Sequence, residues 1–155
     1  MLRTGVRRFL EVAVLVLLAA LAVIVVVGVG FRKAGAALVW YDEVASILLA
    51  WLTYYGAALA ALRRAHIGVP TLTQRLTGRA RTAVVLLAES AIIAFFAAVA
   101  WSGWQVVRVL GGTTLVSLPS VPAALAQSVI PIGAVLFIIA QLLGLRDALA
   151  EGEEP

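Results

Sequence analysis

Apolar residues fill four long stretches of the chain, and the charged residues collect in the short gaps between them. Val12 to Phe31 is a run of 20 residues without one charge, and Val44 to Leu62 is another of 19. Thr82 to Val107 holds a single charge, Glu89, in 26 residues, and Val109 to Leu145 holds none. A helix rising ~1.5 Å per residue needs about 20 apolar residues to cross the ~30 Å hydrocarbon layer of a bilayer. The pattern predicts an all-α membrane protein with four transmembrane helices, at roughly residues 9–30, 42–62, 82–108 and 123–145. A chain of 155 residues has too little other material to bury four such segments in a soluble core. Residues 1–155 therefore read as a single integral membrane domain, a four-span bundle with short links.

The links carry their own signals. Phe31 to Trp40 mixes apolar and basic residues, which suits a short amphipathic helix lying in the interface. Asp42 and Glu43 open the second span, where acidic side chains complement the helix dipole. In the longest link, Arg63 to Arg81, Pro70 follows Gly68 and suits a first helical turn. Val69, Leu72 and Leu76 then share one face, predicting a second interfacial amphipathic helix. Gly111 to Pro122 reads as a turn region with a Gly pair and two prolines. Pro131 lies inside the last span and is expected to kink or loosen it. The acidic tail from Glu151 to Pro155 reads as disordered. The first apolar run exceeds the usual ~7–15 residues of a signal peptide, so it is expected to be a retained helix.

Composition changes this picture little: 63% of residues are hydrophobic, 13% are charged, and mean hydropathy is +1.07. A net charge of +4 and a pI near 10.3 raise the question of nucleic acid, but the positions of the charges argue against it. Arg3, Arg7, Arg8, Arg63, Arg64, Arg75, Arg79, Arg81 and Arg146 fall on one side of the predicted topology, and Arg32, Lys33 and Arg108 on the other. Nine against three is the positive-inside bias, and it places both termini in the cytoplasm. The absence of cysteine removes disulfides and thiolate chemistry.

Candidate chemistry is sparse. Ionisable residues within a membrane are functional candidates by default. Glu89 is one, suited to carry a proton, bind a cation, or pair with a polar group on a neighbouring helix or a partner. Glu11 lies within a turn of Arg7 and Arg8 and is expected to form an interfacial ion pair. Asp42 and Glu43 point about 100° apart on a helix and make no ready carboxylate pair. Their expected role is structural, in capping and in ion pairs with Arg32, Lys33 or Arg108. His66 is the lone histidine and supplies neither bis-imidazole haem ligation nor a zinc cluster. No cofactor is expected, and no enzymatic constellation is visible. Trp40, Trp101 and Trp104 suit an interfacial aromatic belt. Trp51, Tyr54 and Tyr55 fall on one side of the second span, which suggests packing against protein. Gly56 with Ala60, and Ala94 with Ala98, place small residues four apart, as close helix contacts require.

Arg32, then Trp40-Tyr41-Asp42-Glu43, Trp51, Gly56-Ala57, Arg63-Arg64-Ala65-His66-Ile67 and Val69 together resemble the central block of a known family. It is the small membrane subunit of TRAP (tripartite ATP-independent periplasmic) transporters, the DctQ-like family. Thr113-Thr114-Leu115 and Pro131-Ile132-Gly133 are similar to its external turn and last helix. Asp42 stands where the family more often has a second Glu. The resemblance implies a subunit of a sodium-gradient-driven uptake system for organic acids in the bacterial inner membrane. It implies a large membrane subunit that carries substrate and sodium, and a periplasmic substrate-binding protein, as partners alongside membrane lipids. The small subunit would pack on the scaffold of the large one. Two other four-span readings compete: the small subunit of tripartite tricarboxylate transporters, and a small multidrug exporter. The exporter requires an intramembrane Glu in its first helix, and Glu11 lies too near the helix end.

Overall fold

The structure, a computed structural model, describes residues 2–63 and 78–150. Arg64, His66 and the expected amphipathic helix beyond Gly68 lie outside the described residues. Five helices are present among them: α1 (Leu2–Lys33), α2 (Tyr41–Leu62), α3 (Gly78–Val109), α4 (Ala123–Gln127) and α5 (Val129–Ala150). Four spans, with α4 and α5 together forming the last, are long and apolar enough to cross a membrane.

Each helix end has a local cause. α1 stops at Lys33 because Gly35 takes the left-handed conformation, φ 77°, which a side chain disfavours. The amide of Gly35 donates to the Arg32 carbonyl at 3.2 Å, and that of Ala36 to the Phe31 carbonyl at 3.0 Å. This paired closure is the Schellman motif, and it satisfies carbonyls that the helix end leaves open. Residues 34–40 therefore form a tight turn where the sequence suggested an interfacial helix. The last span breaks at Ser128, three residues before Pro131. Proline has no amide proton to give the carbonyl of Gln127, and its ring crowds that carbonyl, so the chain restarts as α5.

The helices pack in a row. α1 lies along α2, α2 along α5, and α5 along α3, and α4 touches α3. No comparable contact joins α1 to α3 among the described residues, so the four-span bundle is an open row. A third of the most apolar window of the last span is buried, against none of that of α3. The buried residues gather on the two central helices: Tyr55, Ala58, Ala61 and Leu62 on α2, and Val129, Ala134, Phe137 and Ala140 on α5. From the flanks, α1 adds Leu10 to this core, and Phe96 of α3 stacks on Phe137 with ring centroids 3.8 Å apart.

Close approach along the row depends on glycine. A Cβ on Gly133 of α5 would stand 2.6 Å from the Cβ of Tyr54 on α2. One on Gly103 of α3 would stand 2.6 Å from Ile130 and 2.9 Å from the Pro131 ring. Gly28 of α1 likewise lies against the Tyr41 ring of α2. Such contacts are well inside the van der Waals distance, so these three glycines set how near the helices lie. The small-residue pairs chosen from sequence behave differently. A Cβ at Gly56 meets nothing within 4 Å, and Ala94 and Ala98 are exposed.

Candidate functional site

Polar contacts gather at the two ends of the row, with one pair between helices along its length. At the end holding the α1–α2 turn, Asp42 meets Arg32 at 3.5 Å across the turn, and Arg32 also lies over the Tyr41 ring, 5.7 Å from its centroid. Both partners of the ion pair are well exposed, so it adds at most ~1 kcal/mol. Glu43, one residue on, makes no ion pair among the described residues. It accepts hydrogen bonds from the amides of Val116 (3.1 Å) and Ser117 (2.8 Å) and from the Ser117 hydroxyl. The expected ion pair of Glu43 is thus replaced by a clasp on the link between α3 and α4. Two amides and a hydroxyl aimed at one carboxylate are charge-assisted bonds with fixed geometry. The same link is pinned by the amide of Leu115 donating to the Val121 carbonyl, and by a bridge between Thr114 and Pro122.

Arg108 lies in the last turn of α3, and neither it nor Lys33 has an acidic partner among the described residues. Trp40 immediately precedes α2 and is half-buried, and no side-chain bond caps the helix there. Trp101 and Trp104 are exposed.

The aromatic face of α2 divides in two. Trp51 stacks on Tyr55 at 5.8 Å, and Tyr55 faces Phe9 of α1 at 6.2 Å. Tyr54, about 100° further round the helix, packs instead on Gly133 of α5. The protein surface these aromatics were expected to meet is in good part that of their own chain.

Between α3 and α5, Glu89 accepts a hydrogen bond from the Gln141 amide at 2.7 Å. Sequence reasoning flagged the carboxylate but not its partner. The signal was available, because Gln141 is a polar amide within an apolar span, where such groups bond across helices.

At the end holding the N-terminus of α1 and the C-terminus of α2, Glu11 joins two helices. Its Oε1 accepts from Arg63 of α2 at 2.6 Å and also faces Arg7 at 3.5 Å. The link to Arg63 ties α1 to α2 and goes beyond the local pair with Arg7 expected from spacing. Arg3 donates to the Leu62 carbonyl at 3.4 Å, at the C-terminal end of α2, where a cation complements the dipole.

This arrangement has four apolar helices, a core of small and aromatic residues, and polar groups mainly at the helix ends. It defines a multi-pass membrane protein. The chain belongs to the DctQ component family of the tripartite ATP-independent periplasmic transporters, whose family profile matches residues 21–151. Over 143 residues it is 25% identical to the sialic acid TRAP transporter small permease protein SiaQ of Vibrio cholerae serotype O1 (strain ATCC 39315 / El Tor Inaba N16961). That match spans 92% of this chain and 82% of the relative. It is a TRAP small permease subunit, a transporter component and not an enzyme. Such subunits work with a large membrane subunit and a substrate-binding protein. Family membership decides against the tricarboxylate-transporter and multidrug-exporter readings.

Proposed function

We propose that this subunit braces the immobile part of a large membrane subunit in a sodium-gradient-driven uptake system for organic acids. It sits in the bacterial inner membrane with both termini cytoplasmic. The observation that carries this reading is the open row of helices. No polar or charged side chain is buried among the described residues, so there is little to hold a substrate or an ion in transit. A row with two bare broad faces suits a part that widens and stiffens a larger neighbour. The substrate named for that relative, a sialic acid, is itself an organic acid, which favours that substrate class here.

In this division of labour Asp42 and Glu43 hold the periplasmic end in shape, and the substrate pathway belongs to the partner. Arg32, Trp40, Trp51, Tyr55, Gly56, Arg63, Arg64, His66, Glu89 and Arg108 are then packing, anchoring or docking residues. The test is reconstitution in liposomes under an inward sodium gradient. The chain alone is expected to give no uptake of an organic acid, and the three components together are expected to give sodium-dependent uptake. Uptake by this chain alone would overturn the proposal. Cysteines placed at Ala37 and Thr113 should label from the periplasmic side, and labelling of either from the cytoplasmic side alone would reverse the orientation.

A further inference from the structure

Where α1 begins and α2 ends, a cleft of about 720 Å³ opens between Arg3, Thr4, Arg7, Glu11, Leu62 and Arg63. Guanidinium groups of Arg7 and Arg63 share it with the carboxylate of Glu11. Glu11 uses a single oxygen, Oε1, toward both Arg7 and Arg63. Each guanidinium carries five N–H donors in a planar fork, so the carboxylate engages only a fraction of what Arg7 and Arg63 offer. About half of each of these two side chains is exposed to the cleft or its rim. Planar forks around an open space match the oxygens of a phosphate group.

The position of the cleft specifies which phosphate. Glu11 is the last charge before the uncharged run that begins at Val12, so these arginines lie where the apolar interior gives way to headgroups. The cleft's face of α1 continues inward by steps of four and three residues, from Glu11 to Leu15 and Leu18, and both leucines are more than half exposed. A basic socket thus opens onto an apolar strip on the same helix. A soluble anion would use the first of these features and leave the second without a role.

We propose that this cleft binds the phosphate of an anionic glycerophospholipid, whose acyl chains lie along Leu15 and Leu18. Basic pockets between membrane helices at the headgroup level attract such lipids. Bound there, the lipid bridges the start of α1 to the end of α2 and supplements the Glu11–Arg63 link. The inference rests on the chain's place in a membrane and not on the transport reading.

The experiment is native mass spectrometry of the full chain, alone and co-purified with its large subunit, titrated with phosphatidylglycerol, cardiolipin or phosphatidylcholine. The expected result is about a tenfold preference for the anionic lipids over phosphatidylcholine, in both forms of the protein. Arg7→Gln combined with Arg63→Gln should abolish most of that preference, whereas Arg108→Gln, at the opposite end, should leave it intact. Glu11→Gln removes the competing carboxylate while keeping every arginine, so it should strengthen anionic-lipid binding by about threefold. This variant keeps the test decisive if the double substitution fails to fold. Equal binding of charged and zwitterionic lipids would overturn the proposal, as would weaker binding by Glu11→Gln. Displacement of the lipid by millimolar inorganic phosphate would assign the cleft to a soluble anion instead. Loss of the lipid on joining the large subunit would make these arginines a protein contact.

Discussion

The central helices α2 and α5 and the flanking helices α1 and α3 are all apolar enough to span a membrane but have opposite surroundings. Along α2 and α5 the contact is set by glycine, alanine and stacked rings, with Gly133 under Tyr54 and Ala58, Ala134 and Ala140 fully buried. α1 is the most apolar of the spans, yet Val12, Leu15, Val16, Val23 and Val26 along it are each more than half exposed. In water this would be a contradiction, since the most apolar helix should be the most buried. In a membrane, lipid tails are as apolar as leucine, so hydrophobicity gives no drive toward the centre. What decides position is how closely two backbones can approach. Small residues draw α2 and α5 together, and the large aliphatic helix is left facing lipid or a partner.

Enlarging a contact glycine should break this contrast most severely. Gly133→Leu drives a branched side chain into Tyr54, and overpacking of this kind costs about 1–3 kcal/mol or more. A large fall in the thermal midpoint of the detergent-solubilised protein is expected, and an unchanged midpoint would mean that the α2–α5 seam is not fixed by this glycine. Gly103→Ala adds a single Cβ against Ile130 and Pro131 and should cost about 1 kcal/mol, at the lower end of that range, by the same measurement.

Glu89 and Gln141 sharpen the comparison, because they join a flanking helix to a central one without small residues. In a double-mutant cycle with Glu89→Leu and Gln141→Leu, a coupling of about 0.5–1.5 kcal/mol is expected. Zero coupling would mean that α3 is held by Phe96 and Gly103 alone. Glu43→Gln should loosen the link at Val116 and Ser117, seen as faster amide hydrogen exchange there, with little change in the global midpoint. Unchanged exchange would show that the bridge between Thr114 and Pro122 suffices. The smallest effect is expected from Gly56→Ala, whose added methyl meets open space. Stability of the isolated chain should move by less than about 0.5 kcal/mol. A marked loss of co-purification with the large subunit would mark that face as the docking surface.

Legibility in the sequence followed the range of the interaction. The four apolar runs were readable because spanning length and hydropathy are local properties. So was the break near Pro131, because a missing amide proton affects only the preceding turn. Glu11 was assigned to its neighbours Arg7 and Arg8, yet its shortest contact is with Arg63, 52 residues away. Glu43 was paired in expectation with a basic residue, whereas its partners are amides in a link 73 and 74 residues further on. Among glycines, spacing favoured Gly56, but the close approaches fell at Gly28, Gly103 and Gly133. Small residues are common in any apolar span, and only the choice of neighbouring helix tells which of them bear contact.

By itself, then, the sequence determined that the chain lies in a membrane, how many times it can cross, and roughly where each span lies. These follow from desolvation of the backbone and from steric rules acting over a few residues. The tertiary structure decided the order of the helices, the openness of the row and the long-range partners of Glu11, Glu43 and Glu89. Those depend on which helix faces meet, and among helices that are all apolar enough to lie in lipid that choice is made by shape.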